Sequence, residues 1–191
     1  MKKTLFVALM VVVGLTACGK STTQSSAGQE APSTAPGSVN VATWSTGSFG
    51  DKMEGTVTNY TRQRSTDWNS FKFPYEGKTY AYFQINDDGH ATFEIDRGQI
   101  QCSSYNGCSL KIKIDNQKPI YISAAQNNNG KSDYVSICTG TDPGTYYCNG
   151  KSFIKSLKGA KKILVEAQVF QEGNPVWEFD VSEFEMPKKA K

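Results

Sequence analysis

The stretch that decides the fold is KILVEAQVF (residues 162–170), the turn Gln171-Glu172-Gly173-Asn174, and PVWEFDV (residues 175–181). Ile163, Val165, Ala167 and Val169 fall on one face of an extended chain; Trp177, Phe179 and Val181 fall on one face of the segment after the turn. Side chains alternate sides along a strand, so this period of two around a glycine-bearing turn predicts an antiparallel hairpin with one apolar face. The same signature recurs upstream. TYAYFQIN (79–86) and ATFEID (91–96) flank Asp87-Asp88-Gly89-His90, and Tyr80, Tyr82 and Gln84 alternate with Ala81, Phe83 and Ile85. CSLKIKID (108–115) sets Leu110, Ile112 and Ile114 against Lys111 and Lys113, a strand with one wet side. Residues 119–125 and 134–138 read as further short strands. One helix is expected, with Ser152 as its cap, Phe153, Ile154 and Leu157 at helical spacing, and Gly159 as its stop. The fold class is therefore mainly β: a twisted antiparallel sheet or β-sandwich with one short helix closing one side.

Outside this region the chain changes character. Lys2 and Lys3 precede an apolar run from residue 5 to residue 15, and the order of charge then apolar core is that of an export signal rather than a membrane span. Leu15-Thr16-Ala17-Cys18 resembles the lipobox of bacterial lipoproteins, which implies cleavage before Cys18 and lipidation of its thiol. Residues 1–17 are then the signal, and residues 18–40 a lipidated tether. That segment is rich in Ser, Thr, Gln, Ala, Gly and Pro and too polar to fold by itself. As a flexible chain it spans roughly 25 Å on average. Residues 41–185 form the β-rich domain, and residues 186–191 a basic tail read as a solvated end. Lys2 and Lys3 leave with the signal, so Lys+Arg falls from 21 to 19 against 18 Asp+Glu and the formal charge from +3 to +1. Such balance gives no nucleic-acid footprint. Gly19 rather than an acidic residue follows Cys18, which resembles outer-membrane rather than inner-membrane sorting and places the chain on the periplasmic face of the outer membrane.

Export also explains the cysteines. With Cys18 taken by lipid, Cys102, Cys108, Cys138 and Cys148 remain, an even number in an oxidising compartment. Four cysteines allow three connectivities, and the sequence alone does not choose among them. Turn formers at residues 103–107 and 141–144 favour the local pairs Cys102–Cys108 and Cys138–Cys148. Zinc is disfavoured because structural sites use cysteine pairs closer together than these.

The residues carry little that could do chemistry. His90 is the only histidine and falls in a hairpin turn, where a base is hard to hold beside a nucleophile. Sites built on two histidines are excluded by count. The carboxylate pairs Asp87 and Asp88, Asp51 and Glu54, and Glu94 and Asp96 are the remaining route to catalysis, as the acid and base of a cell-wall glycan hydrolase. Turn chemistry explains the first pair better, and a solvated strand face explains the last. Asn127-Asn128-Asn129-Gly130 and Asp142-Pro143-Gly144 offer oxygens but match no calcium loop. No metal, cofactor or catalytic residue is expected.

The aromatics are a different matter. Trp44, Trp68, Phe71, Phe73, Tyr75, Tyr80 and Tyr82 crowd the first half of the domain, and Tyr146-Tyr147 adjoins Cys148. Most are expected in the core. The densest stretch, Trp68-Asn69-Ser70-Phe71-Lys72-Phe73-Pro74-Tyr75, is interrupted by polar residues and proline and reads as a loop. Aromatic loops on rigid sheets concentrate binding surfaces, so Trp68, Phe71, Phe73 and Tyr75, with Tyr146 and Tyr147, are the candidate contact residues.

Read in order, Trp44, Asp51, Met53 and Gly55, then residues 110–115, then Ser152-Phe153-Ile154-Lys155-Ser156-Leu157, then Trp177-Glu178-Phe179-Asp180-Val181-Ser182, the chain resembles the small exported proteins of the VasI-like, type VI secretion-associated group. The family pattern reads Asp-Pro-Met where this chain has Asp51-Lys52-Met53, and Arg-Phe-Asp where it has Lys113-Ile114-Asp115. The resemblance implies a disulfide-containing envelope domain and supplies no catalytic residue. The expectation is a membrane-tethered, non-catalytic binding module for a protein or cell-surface component. Two uses fit it: exclusion of phage or plasmid DNA, and inhibition of a hydrolase such as lysozyme.

Overall fold

The computed structural model describes residues 43–103, 107–126, 131–138, 148 and 150–190. Cys18, the tether, and Tyr146 and Tyr147 lie outside the described residues, as do the Asn127–Gly130 and Asp142–Gly144 oxygens. The described chain is mainly β. In chain order it runs β1 (Ser45–Asp51), β2 (Thr56–Arg64), β3 (Asn69–Phe71), β4 (Gly77–Thr79), β5 (Ala81–Asn86), β6 (Ala91–Ile95), β7 (Cys108–Ile114), β8 (Ile120–Gln126), β9 (Tyr134–Cys138), α1 (Lys151–Leu157), β10 (Lys162–Ala167) and β11 (Val176–Asp180). Nine of these strands form one sheet in the order β1-β2-β5-β6-β9-β8-β7-β10-β11, and β3 and β4 pair separately. Every pairing is antiparallel.

The alternating residues do what their spacing requires. Ala81, Phe83 and Ile85 of β5, Phe93 and Ile95 of β6, Leu110 and Ile112 of β7, Ile163 and Val165 of β10, and Trp177 and Phe179 of β11 are all buried. The sheet curls until its two halves face one another. Phe179 of β11 meets Phe83 of β5 and Phe93 of β6 at centroid distances of 6.2 and 6.4 Å, and Trp177 meets Phe93 at 5.6 Å, although these strands are not neighbours in the sheet. The result is a sandwich-like barrel of side chains. α1 caps it with Phe153, Ile154 and Leu157, Phe153 lying edge-on to Phe83 at 5.5 Å. Trp177 also satisfies its buried indole N–H by donating to the Thr79 carbonyl at 3.1 Å.

Both local disulfides are present, Cys102–Cys108 and Cys138–Cys148. The first closes the approach to β7; the second ties the end of β9 to the start of α1.

Four local expectations need correction. Ser152 does not cap α1: Gly150 occupies that position without a side-chain bond, and Ser152 lies inside the helix. The stretch from Trp68 to Tyr75 is not all loop, since Asn69–Phe71 forms β3 against β4. The basic tail is docked rather than free: Asn59 Nδ2 donates to the Lys188 carbonyl at 2.8 Å, and the Ala190 N–H donates to Asp87 Oδ2 at 3.0 Å. His90 is also held, as described below.

The ends of the large sheet differ. β11 is sealed by the chain between residues 63 and 69. Asn69 Nδ2 donates to the Val176 carbonyl at 2.9 Å, the Glu178 N–H donates to Asp67 Oδ1 at 2.9 Å, and the Thr66 N–H donates to the Glu178 carbonyl at 2.8 Å. Gln63 Nε2 donates to the Asp180 carbonyl. Among the described residues β1 has no such cover. Asn59 of β2 donates its N–H to Asp87 Oδ2 and accepts the Asp87 N–H, so both its backbone groups point toward β5. Its partner Ser48 is then a non-hydrogen-bonded pair member that turns its own N–H and C=O outward; by alternation Thr46 and Gly50 do the same.

Candidate functional site

The aromatic stretch singled out in the sequence divides into core and surface. Phe71 is buried and packs edge-on to Trp177 at 6.2 Å, so it is removed from the candidate contacts: β3 alternates, and this residue faces in. Tyr75 is half-buried against the core. Phe73 and Trp68 remain outside, 83% and 44% exposed. Phe73 occupies the loop between β3 and β4, and Trp68 stands just before β3, with Lys78 Nζ of β4 4.5 Å from its ring centroid. An ammonium over an indole face orients the ring while leaving it accessible.

The base under these side chains is firm. Asn69 is bonded to β11, the Lys72 N–H donates to Glu172 Oε1 at 2.7 Å in the β10–β11 turn, and Tyr75 N–H returns to the Lys72 carbonyl at 2.9 Å. β3 is thus fixed at both its ends to β11 and the turn that precedes it. Exposed aromatics on such a base lose little entropy on contact, which suits them to recognition.

The sequence did not single out the outer face of β2 and β5. Arg62 stacks over Tyr82 with its guanidinium carbon 4.2 Å from the ring centroid, and Arg64 over Tyr80 at 4.4 Å. Arg62 also pairs with Glu94 at 2.7 Å. The period-two pattern placed the tyrosines on this face, but only the β2–β5 register brings the arginines over them. A groove of about 610 Å³ lies between Trp44, Thr46, Ser48, Asn59 and residues 183–188. Among the described residues the Trp44 indole N–H, buried there, has no hydrogen-bond partner.

The groups with catalytic potential are committed elsewhere. Asp87 accepts the Asn59 and Ala190 N–H groups, Asp88 the His90 N–H at 2.8 Å, and Asp96 the Tyr80 N–H at 3.0 Å. Burial raises the Asp96 pKa above the usual carboxylate range against the pull of the Tyr80 N–H and Arg97. Asp51 accepts the Met53 and Glu54 N–H groups of its own turn. Each of these four aspartates accepts backbone N–H groups, and Glu94 pairs with Arg62.

His90 is positioned more closely than a turn residue need be. Its Nδ1 lies 3.3 Å from the Cys148 carbonyl and its Nε2 3.1 Å from Ser136 Oγ. The carbonyl can only accept, so Nδ1 carries the proton and Nε2 accepts from the hydroxyl. A serine beside a histidine oriented by a third group is the arrangement of a nucleophile and its base. Ser136, however, is 7% exposed on the inner strand β9 between β6 and β8. The imidazole is a clasp that joins the β5–β6 turn to β9 and to Cys148. Among the described residues no cluster of three or more potential metal ligands occurs, and no helix is long and apolar enough to cross a membrane.

No protein family, characterised protein or solved structure matches this chain.

Proposed function

We propose that this chain is a lipid-tethered envelope protein of the outer membrane that works as a non-catalytic binding module. The observation that carries the reading is the β3–β4 hairpin, which holds Phe73 and Trp68 exposed on a base fixed to the sheet by side-chain hydrogen bonds. Large aromatics set out in this way are anchors for a partner's apolar pocket. The partner is another envelope protein or a cell-surface component, and exclusion of phage or plasmid DNA and inhibition of a hydrolase such as lysozyme are the two uses that fit a small tethered domain. The lipobox ending in Cys18 supports the tether, and Gly19 the outer-membrane address. Two or three acyl chains, at about 0.8 kcal/mol per buried methylene, would make the attachment effectively permanent. The likeness to VasI-like exported proteins supports the envelope setting and adds no catalytic role.

The test is recovery of the partner from envelope extracts with the full chain as bait. Trp68→Ala and Phe73→Ala are expected to weaken capture by about thirtyfold each, the effect of losing an interface anchor worth about 2 kcal/mol. His90→Ala and Glu94→Gln, checked for folding, are expected to leave it intact. Loss in the second pair with retention in the first would favour the glycan-hydrolase alternative. Cys18→Ala in the same experiment is expected to leave the chain outside the membrane fraction; persistence there after carbonate washing would remove the tether from the proposal.

A further inference from the structure

The open edge of β1 is complementary to a copy of itself. We propose that two copies of this chain pair through β1, antiparallel and about a two-fold axis at Ser48, so that the nine-stranded sheet continues across a dimer. Thr46, Ser48 and Gly50 each turn one donor and one acceptor away from β2. With Ser48 opposite its own copy, Thr46 falls opposite Gly50 and Gly50 opposite Thr46. All are then pairs of the hydrogen-bonded type, and every outward group of the strand is met. Moving the axis to Gly47 or Phe49 pushes Gly50 or Thr46 past the end of the facing strand and leaves its groups unmet. The backbone therefore selects one register.

The side chains select the same one. Phe49 falls opposite Gly47 of the second copy, twice, on the outer face of the sheet. Gly47 is covered by Tyr60: a Cβ at this position would lie 2.5 Å from Tyr60 Oη. The absent side chain thus leaves an aromatic ring, not a gap, for the incoming Phe49 to rest against. Phe49 is 50% exposed in one copy and already lies 6.1 Å from its own Tyr60. Pairing joins two such couples into a continuous band of four rings, a cross-strand aromatic contact over glycine that sheets use to fix register. Asp51, the strand's charged residue, faces Ser45, so no like charges oppose. β1 also lacks the lysine, proline or bulge that usually protects an edge from pairing. A strand from an unrelated protein could use the exposed backbone, but only a second copy supplies both the matching register and the phenylalanine for Gly47.

The full chain carrying Ser48→Cys, oxidised in envelope preparations, tests the axis. Facing Cα atoms of a hydrogen-bonded antiparallel pair are about 5.5 Å apart, within disulfide reach. The equivalent Ser45 positions stand roughly 20 Å apart in this register. Ser48→Cys is expected to give a disulfide-linked dimer at least tenfold more abundantly than Ser45→Cys, and adding Phe49→Ala is expected to lower the yield several-fold. Absence of the dimer, equal yields from the two positions, or capture of a different protein at Ser48 would overturn the proposal. Sedimentation of the full chain in detergent gives a second reading without cysteine: concentration-dependent dimer weakened by Phe49→Ala supports it, and a monomer at all concentrations overturns it.

Discussion

β11 and β1 end the same sheet, and they are finished in opposite ways. β11 is a sealed edge: its outward carbonyls and the Glu178 N–H are met by Gln63, Thr66, Asp67 and Asn69, and its inner face carries the fully buried Trp177 and Phe179. β1 is an open edge: Thr46, Ser48 and Gly50 turn their backbone groups outward, and the strand is almost wholly exposed. An edge met by side chains from a distant segment belongs to the core, because its inner face and its hydrogen bonds are spent within the molecule. An edge left open is available for recognition. The β3–β4 hairpin, proposed as the contact surface, borrows the rigidity of the first edge, while the dimer proposal uses the availability of the second.

The largest effect expected from this contrast lies at Trp177. It fills the contact between the two halves of the curled sheet, touching Phe71 and Phe93 and bonding to the Thr79 carbonyl. Trp177→Ala is expected to cost about 3–5 kcal/mol, from lost burial and the cavity left behind. Phe49→Ala on the open edge, measured at low protein concentration, is expected to stay within about 0.5 kcal/mol. Urea midpoints of the two variants measure both. Comparable losses would break the distinction between a core edge and a free one.

Next in size is the seal itself. Asp67 Oδ1 receives the Glu178 N–H, while burial raises the Asp67 pKa against the pull of that bond. Asp67→Ala removes the acceptor and is expected to cost about 1–2 kcal/mol, with Asp67→Asn recovering most of it. Hydrogen exchange at protein concentrations low enough to keep the chain monomeric sharpens the comparison: the Glu178 amide is expected to be protected by orders of magnitude relative to those of Thr46, Ser48 and Gly50, and to lose that protection in Asp67→Ala.

How much of this was legible follows from where the information lies. The strands β5 to β11 carry their apolar alternation locally, so Phe83, Ile112, Val165 and Trp177 announced their faces. β1 and β2 did not. STGSFGD has no apolar period, and the inward positions at the end of β2 and just after it are Thr61, Gln63 and Ser65, buried polar residues that are tolerable only because partners arrive from elsewhere. Ser65, for example, receives the Ala81 N–H and donates to the Asp67 carbonyl. Such pairings span up to the length of the domain and leave no local pattern. The same holds for the site. The density of aromatics marked the segment from Trp68 to Tyr75, but which rings face out depended on β3 packing against Trp177. The hold on His90 leaves no local pattern either, because Ser136 and Cys148 are far away in the chain. Ser152 has no capping role because the cap position falls two residues earlier, at Gly150, close to the second disulfide at Cys148.

The smallest expected effect is a dependence on acid, and it too belongs to the sealed side. Asp115 closes the junction of β7 and β10, accepting the Lys162 N–H at 2.9 Å and the Lys161 N–H at 3.0 Å, and these bonds hold its carboxyl below the usual range. Asp180, at the end of β11, is lowered by the Ser182 hydroxyl at 2.6 Å and then by the Ser182 N–H at 3.0 Å. A carboxyl that releases its proton more readily when folded than when unfolded stabilises the fold above its unfolded pKa, near 3.9, and that contribution is lost as pH falls through the folded value. Asp67 and Asp96, raised by burial, act in the opposite sense and flatten the decline. The net expectation for one group is clean. Asp115→Asn keeps an oxygen acceptor and suits the positive φ of 47° at this position, but it cannot titrate. It is expected to be slightly less stable than the parent at pH 7, with the gap narrower at pH 3. Urea midpoints at the two values measure the gap, and a gap that widened in acid would reverse the sign assigned to the Lys161 and Lys162 bonds.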